Sequence, residues 1–320
     1  MAPTTSKFLH FTRNRVVIGG LIVYVCAFAI LLQNRNFDVT GAVVVLIVFG
    51  IVFPLIAWIT TRNATPLRLF LTTRRLQLIV LIGYIVLLSL YLVGGPQWID
   101  QHLPSLWIES EHSRFFITLA KKLIVFVVVP FAIFRFGFGR RLRDFGIQAD
   151  GLRALCRSHL PVVVIVGGAF VAFQYFLSGG GAVFRRGQFG AEQLLVGLPI
   201  CFVWLLIEAG LVEEFFFRGL VQSNLAATFK SEVSGIVLMS LIFGLAHAPG
   251  FIFRHAGEVE GLGSSPSALD AVAYSIVVLA VSGVTFGVVW ARTKNLLAVI
   301  LIHAAGDLLP NFAGFARIWL

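Results

Sequence analysis

Long apolar stretches alternate with short polar ones along the whole 320-residue chain. A helix that crosses a bilayer needs about 20 mostly apolar residues. Runs near that length lie at 16–32, 39–59, 76–93, 115–134, 160–177, 194–212, 233–247, 271–291 and 296–309. The fourth contains Lys121 and Lys122, which leaves its start open. The sixth continues into a charged segment, either as one long helix or as two broken near Gly210. This pattern predicts an all-α, polytopic transmembrane bundle of about eight helices. The first run follows Lys7, Arg13 and Arg15 as a secretion signal would, but it is too long for one and another apolar stretch follows at once. We read it as the first membrane helix.

Composition agrees with a membrane setting: 58% of residues are hydrophobic and 12% charged, with a mean hydropathy of +0.92. The net charge of +10 is gathered in short clusters beside apolar runs, such as Arg13/Arg15, Arg74/Arg75 and Arg140/Arg141/Arg143. Cytoplasmic membrane flanks look like this, and no nucleic-acid partner is expected. Residues 1–15, 60–75 and 135–157 are basic, whereas the alternating loop 94–114 carries Asp100, Glu109 and Glu111. The positive-inside rule therefore puts the N-terminus in the cytoplasm, and the expected location is the cell membrane. Cys26, Cys156 and Cys201 suggest neither a disulfide framework nor a cysteine-rich metal site. The glycine-rich stretch 178–190 reads as a flexible link, dividing N-terminal membrane helices (1–180) from a C-terminal unit (181–320). The loop 248–268, with Gly250, Gly257, Gly261, Gly263 and Pro266, reads as a gate or as a connector.

The candidate chemistry is concentrated in the last third. Glu213, Glu214 and Arg218 fall within six residues of EAGLVEEFFFRG (208–219). A charged residue at mid-membrane costs roughly 2.5–3.5 kcal/mol on insertion scales, so these three need partners or do chemistry. Glu214 and Arg218 are four apart and share a helix face, with Glu213 about 100° round. Phe243 and His247 in LIFGLAHAP repeat that spacing, as do His303 and Asp307 in LIHAAGDLL. With Lys230 as the turn of an antiparallel hairpin, Glu213 lies 17 residues before it and His247 17 after it (230 − 213 and 247 − 230). At ~1.5 Å per residue both stand at one level, ~25 Å from the turn. A glutamate shielded from bulk water, next to histidine, suits water activation as a general base. The same groups also suit a divalent cation such as zinc, with Glu213, His247 and His303 as ligands, so the cofactor is left open between a metal and none.

EEFFFR (213–218) fits E-E-x-x-x-R, FGLAH (243–247) fits F-x-x-x-H, and HAAGD (303–307) fits H-x-x-x-N/D. In order and spacing these resemble the CPBP intramembrane proteases, which include the CaaX proteases and Abi-type bacteriocin relatives. The resemblance spans roughly 190–310. It implies a catalytic core of membrane helices around a buried polar cavity, acting on a peptide or membrane-protein substrate in the bilayer. Glu213 would be the general base with His247. Glu214 and Arg218 would support it as a pair, and His303 with residue 307 would stabilise the oxyanion. Where many members have Asn, this chain has Asp307, which cannot donate a hydrogen bond when ionised. It would then be protonated, orient His303 or favour a metal.

Three rival readings are weaker. AVSG (280–283) lacks the first glycine of a serine-protease G-x-S-G, which leaves Ser282 as a small packing residue. A transporter or channel would use the Glu/Arg/His cluster as an ion or proton site, but it would spread such residues over several helices. A non-catalytic binding protein of the same family is opposed by the full motif set.

Overall fold

A computed structural model describes residues 14–69, 75–104, 110–252, 261–263 and 266–320. Lys7, Arg13, Arg74, Glu109 and Gly257 lie outside them, as do residues 253–260 and 264–265 of the expected gate. Among the described residues the chain is all helical, and eight helices are long and apolar enough to cross a membrane. We number the helices α1 (Arg15–Leu31), α2 (Val39–Thr60), α3 (Arg75–His102), α4 (Glu111–Phe138), α5 (Leu160–Leu177), α6 (Gln193–Phe229), α7 (Glu232–Ile252), α8 (Ala268–Thr293) and α9 (Leu296–Trp319). α1 is the shorter apolar helix, and the span containing α5 begins at Leu142. The sixth apolar run is thus one continuous helix, and the fourth begins before Lys121 and Lys122.

Local chemistry explains the ends. The side chains of Asn14, Asp38, Ser267 and Asn295 each accept from a backbone N–H of the turn that follows. Gly139, Lys230 and Lys294 end α4, α6 and α8 in the left-handed conformation. Four helices also contain a wide π-turn segment that stops two residues before a proline. These are Val48–Val52 before Pro54, Ile124–Val128 before Pro130, Leu155–His159 before Pro161, and Gln193–Gly197 before Pro199. Proline has no N–H and its ring would strike the carbonyl four residues back, and a wide turn there relieves both problems. In lipid this local readjustment matters, because no water can satisfy a freed carbonyl.

α6 is enclosed on all sides in its C-terminal half, where Phe215–Gln222 are all buried. A helix of that kind belongs at the centre. α7 packs along α8, α5 along α9, and α2 against both α8 and α5, while α1 lies on α7 and the start of α8. One core therefore joins both parts of the chain: Phe134 and Phe145 with Phe215, Phe216, Phe217 and Trp290. The Phe145 and Phe215 rings stack at 4.8 Å. Gly146 (φ 84°) turns beneath Trp290, where an added Cβ would lie 2.4 Å from the indole. The 178–190 stretch is packed rather than loose. It forms a 3-10 turn at Gly179–Gly181 against Pro310 of α9, followed by a short helix, Ala182–Arg185. Outward-facing Leu, Ile, Val and Phe side chains are exposed along α1–α5, as a surface in contact with lipid requires.

Gly244 marks the closest approach of α7 to α8: a Cβ there would meet Ser275 O at 2.5 Å and Ala280 at 2.8 Å. Gly244→Ala is expected to lower stability by about 1–3 kcal/mol, the usual cost of overpacking. Gly250→Ala on the same helix, with open space around it, is expected to change little. Thermal unfolding of both variants in detergent checks this.

Candidate active site

The two central carboxylates come from a three-residue α-helical piece, Val212–Glu214, between two π-helical ones, Leu206–Leu211 and Phe215–Gln222. No proline follows these two, unlike the four above. Wide turns of this kind recur at functional sites. Lys230 (φ 51°) and Ser231 turn α6 into α7, which brings Glu213 and His247 to one level. Glu213 Oε2 lies 3.9 Å from His247 Nε2. His247 Nδ1 is 2.8 Å from the carbonyl of Phe243. A carbonyl only accepts, so Nδ1 carries the proton and the other ring nitrogen is left facing Glu213.

His303 is buried on α9, its ring stacked on Phe286 at 4.9 Å. Its Nδ1 donates to the carboxylate of Glu214. Its Nε2 is 3.4 Å from Asp307 Oδ2 and 3.8 Å from Glu213 Oε2. Both ring nitrogens thus face carboxylates. Glu214 is fully buried, with its other oxygen 3.0 Å from Arg218 Nε. That contact is close but lies off the N–H direction, so it is an ion pair without an aligned hydrogen bond. The guanidinium is held instead over three rings, at 4.6 Å from Phe243, 5.1 Å from Phe286 and 5.8 Å from Phe217. Cation–π attraction of roughly 2 kcal/mol or more per desolvated pair makes such a cage a fit place for a buried arginine.

All six residues singled out in the sequence therefore meet, from α6, α7 and α9. They pack side chain to side chain, and a separate polar cavity is not seen among the described residues. Two further charges join them. Lys122 of α4 pairs with Glu208. Lys121 turns away to Asp100 at 2.7 Å. The signal for Lys122 and Glu208 was the bare oddity of a charge in an apolar run.

Among the described residues no three His, Cys, Asp or Glu side chains form a metal-binding group. Glu213, His247 and His303 come nearest, but zinc ligands at ~2.0–2.2 Å would stand closer together than the 3.8 and 3.9 Å separating Glu213 from the two rings. As placed, Glu213 stands slightly too far from the two rings to share a zinc ion with them without a small shift.

Residues 195–309 match a family model described as type II CAAX prenyl endopeptidase, Rce1-like. That segment is Rce1-like. It takes in the whole of the Glu/His/Asp cluster and leaves Lys122 outside. No curated protein and no solved structure matches the chain. The likeness to a prenyl endopeptidase family is thus confined to this segment, which is carried on a helix bundle with eight membrane-length helices among the described residues.

Removing the guanidinium alone would leave Glu214 buried with His303 as its one remaining partner among those described. Arg218→Met is expected to destabilise by about 3–5 kcal/mol, while pairing it with Glu214→Leu should recover much of the loss. Urea or thermal unfolding of the three variants checks this.

Proposed function

We propose that the cluster hydrolyses a peptide bond within or beside the bilayer, with Glu213 as general base. The observation that carries this reading is the spacing of Glu213 Oε2 from the Nε2 atoms of His247 and His303, 3.9 and 3.8 Å. Each gap is too long for a direct hydrogen bond and suits a water between the groups. Glu213 and the lone pair of His247 are both acceptors, and a water has one hydrogen for each. A water held in this way keeps an oxygen lone pair free for attack.

Glu213 takes one proton as the water oxygen bonds to the peptide carbonyl carbon. The carbonyl oxygen becomes an oxyanion, and His303 Nε2–H is the donor placed to meet it. Donors of this kind are each worth a few kcal/mol in the transition state. The C–N bond then breaks, and the proton held by Glu213 passes to the leaving amine. Arg218 and Glu214 act behind His303: the pair fixes the Nδ1 hydrogen bond and so the direction of Nε2. Asp307, 3.4 Å from Nε2, orients His303 in this scheme. The reaction so drawn uses no metal. The substrate is a peptide that reaches the membrane, and the N-terminus of the enzyme lies in the cytoplasm.

Cleavage of a quenched fluorescent peptide library by the purified protein in detergent tests this reading. Glu213→Gln and His247→Ala are each expected to lose at least ~100-fold in kcat. Wild-type activity is expected to survive a chelator. Full activity in Glu213→Gln would falsify the general-base role, and loss of wild-type activity on chelation would replace the metal-free scheme.

A further inference from the structure

A cleft of about 360 Å³ opens between α2, α5 and α8, beside Pro310 of α9, and none of the six clustered residues lines it. Its volume is that of a small-ligand site. The polar part of the lining lies at one end. Asp38 caps α2 there, and Ser178 ends α5, with Gln174 one turn before it. At the other end lie Phe49 and Phe173, their rings 4.9 Å apart. Phe49 is buried and stands 11 residues past Asp38 (49 − 38). The cleft therefore runs ~16 Å along α2, at ~1.5 Å rise per residue. Behind that floor Phe170 and Phe286 stack at 5.3 Å, and they separate it from His303.

We propose that this cleft holds one phospholipid of the bilayer, with a primary ammonium headgroup on Asp38 and an acyl chain on Phe49 and Phe173. Charge selects the headgroup. Asp38 is the one charged residue among the described residues of the lining, so it attracts a cation and opposes an anionic lipid. Its Oδ1 accepts from the Gly41 N–H at 2.9 Å, and its own N–H donates to the Gly261 carbonyl at 2.9 Å. Its Oδ2 has no hydrogen bond or ion pair among the described residues and is placed for a charge-assisted bond. A primary ammonium has hydrogens for that bond, and a trimethylated one has none. Ser178 donates to Gln174 Oε1, which leaves the amide nitrogen of Gln174 as a donor for the phosphate. The rim also meets the lipid-facing surface, since Leu177 of the lining is 67% exposed. The site does not depend on Glu213 acting as base.

Thermal unfolding of the purified full chain in detergent tests this, with dioleoyl phosphatidylethanolamine, phosphatidylcholine or phosphatidylglycerol added. Native mass spectrometry counts the lipid retained. Phosphatidylethanolamine is expected to raise Tm by at least about 3 °C with a single molecule retained, and the other two lipids to do clearly less. Asp38→Asn removes the charge and keeps the helix cap, because Asn caps as well as Asp. It is expected to show the wild-type Tm without lipid and to lose the preference. Val45→Trp fills the cleft and is expected to lose the retained lipid; if it does not fold, Asp38→Asn decides alone. Equal shifts with all three lipids, the mark of a general lipid coat, overturn the proposal, as does an unchanged preference in Asp38→Asn. A Tm rise with the peptide library and none with lipid would make the cleft a substrate groove, and overturns it too.

Discussion

An arginine with no access to water is the constraint on which the rest of the site depends. Arg218 is fully buried, so its charge must be balanced within the helix bundle. Glu214 supplies the opposite charge, and the rings of Phe217, Phe243 and Phe286 supply the surroundings. Each commitment forces the next. Glu214, fixed by Arg218, holds Nδ1 of His303, and Nε2 then turns toward Asp307 and Glu213. Phe286 serves twice, as a face for the guanidinium and as the plane on which the His303 ring lies. The polar groups and the aromatic core are therefore one assembly, from α6, α7, α8 and α9.

Much of this could be read from residue spacing. The apolar runs correspond to the helices, because only a helix satisfies its own backbone in lipid. Counting residues from Lys230 placed Glu213 opposite His247, because the turn is short, Lys230 and Ser231 only, and each arm of the hairpin is one continuous helix. The position of Lys122 could not be found in this way. Its partner Glu208 is 86 residues away, and no periodicity relates α4 to α6. The wide turns are partly visible in the sequence, because four of them precede a proline. The two that flank Glu213 and Glu214 have no such marker. The packing of 178–190 was hidden for another reason. Glycines that allow a loose link also allow backbone to lie flat on Pro310, and only the neighbour decides which occurs.

The Rce1-like match begins at residue 195, while the core does not stop there. Phe134 and Phe145 from the earlier part of the chain are enclosed as fully as Phe215 and Phe216. Arg140, held by Gln77 and Asn224, ties α3 to the end of α6. The N-terminal helices thus act as a partial wall around the C-terminal ones, with one side in lipid and the other in the core.

The two wide stretches around Val212–Glu214 also separate two demands on α6. Its N-terminal half must keep apolar side chains toward lipid, and its C-terminal half must thread the core. A uniform helix would tie the direction of the glutamates rigidly to both. A wide turn on each side lets this short piece take its own rotation, so drift in bilayer thickness or in the tilt of either half can be absorbed before it reaches the carboxylates.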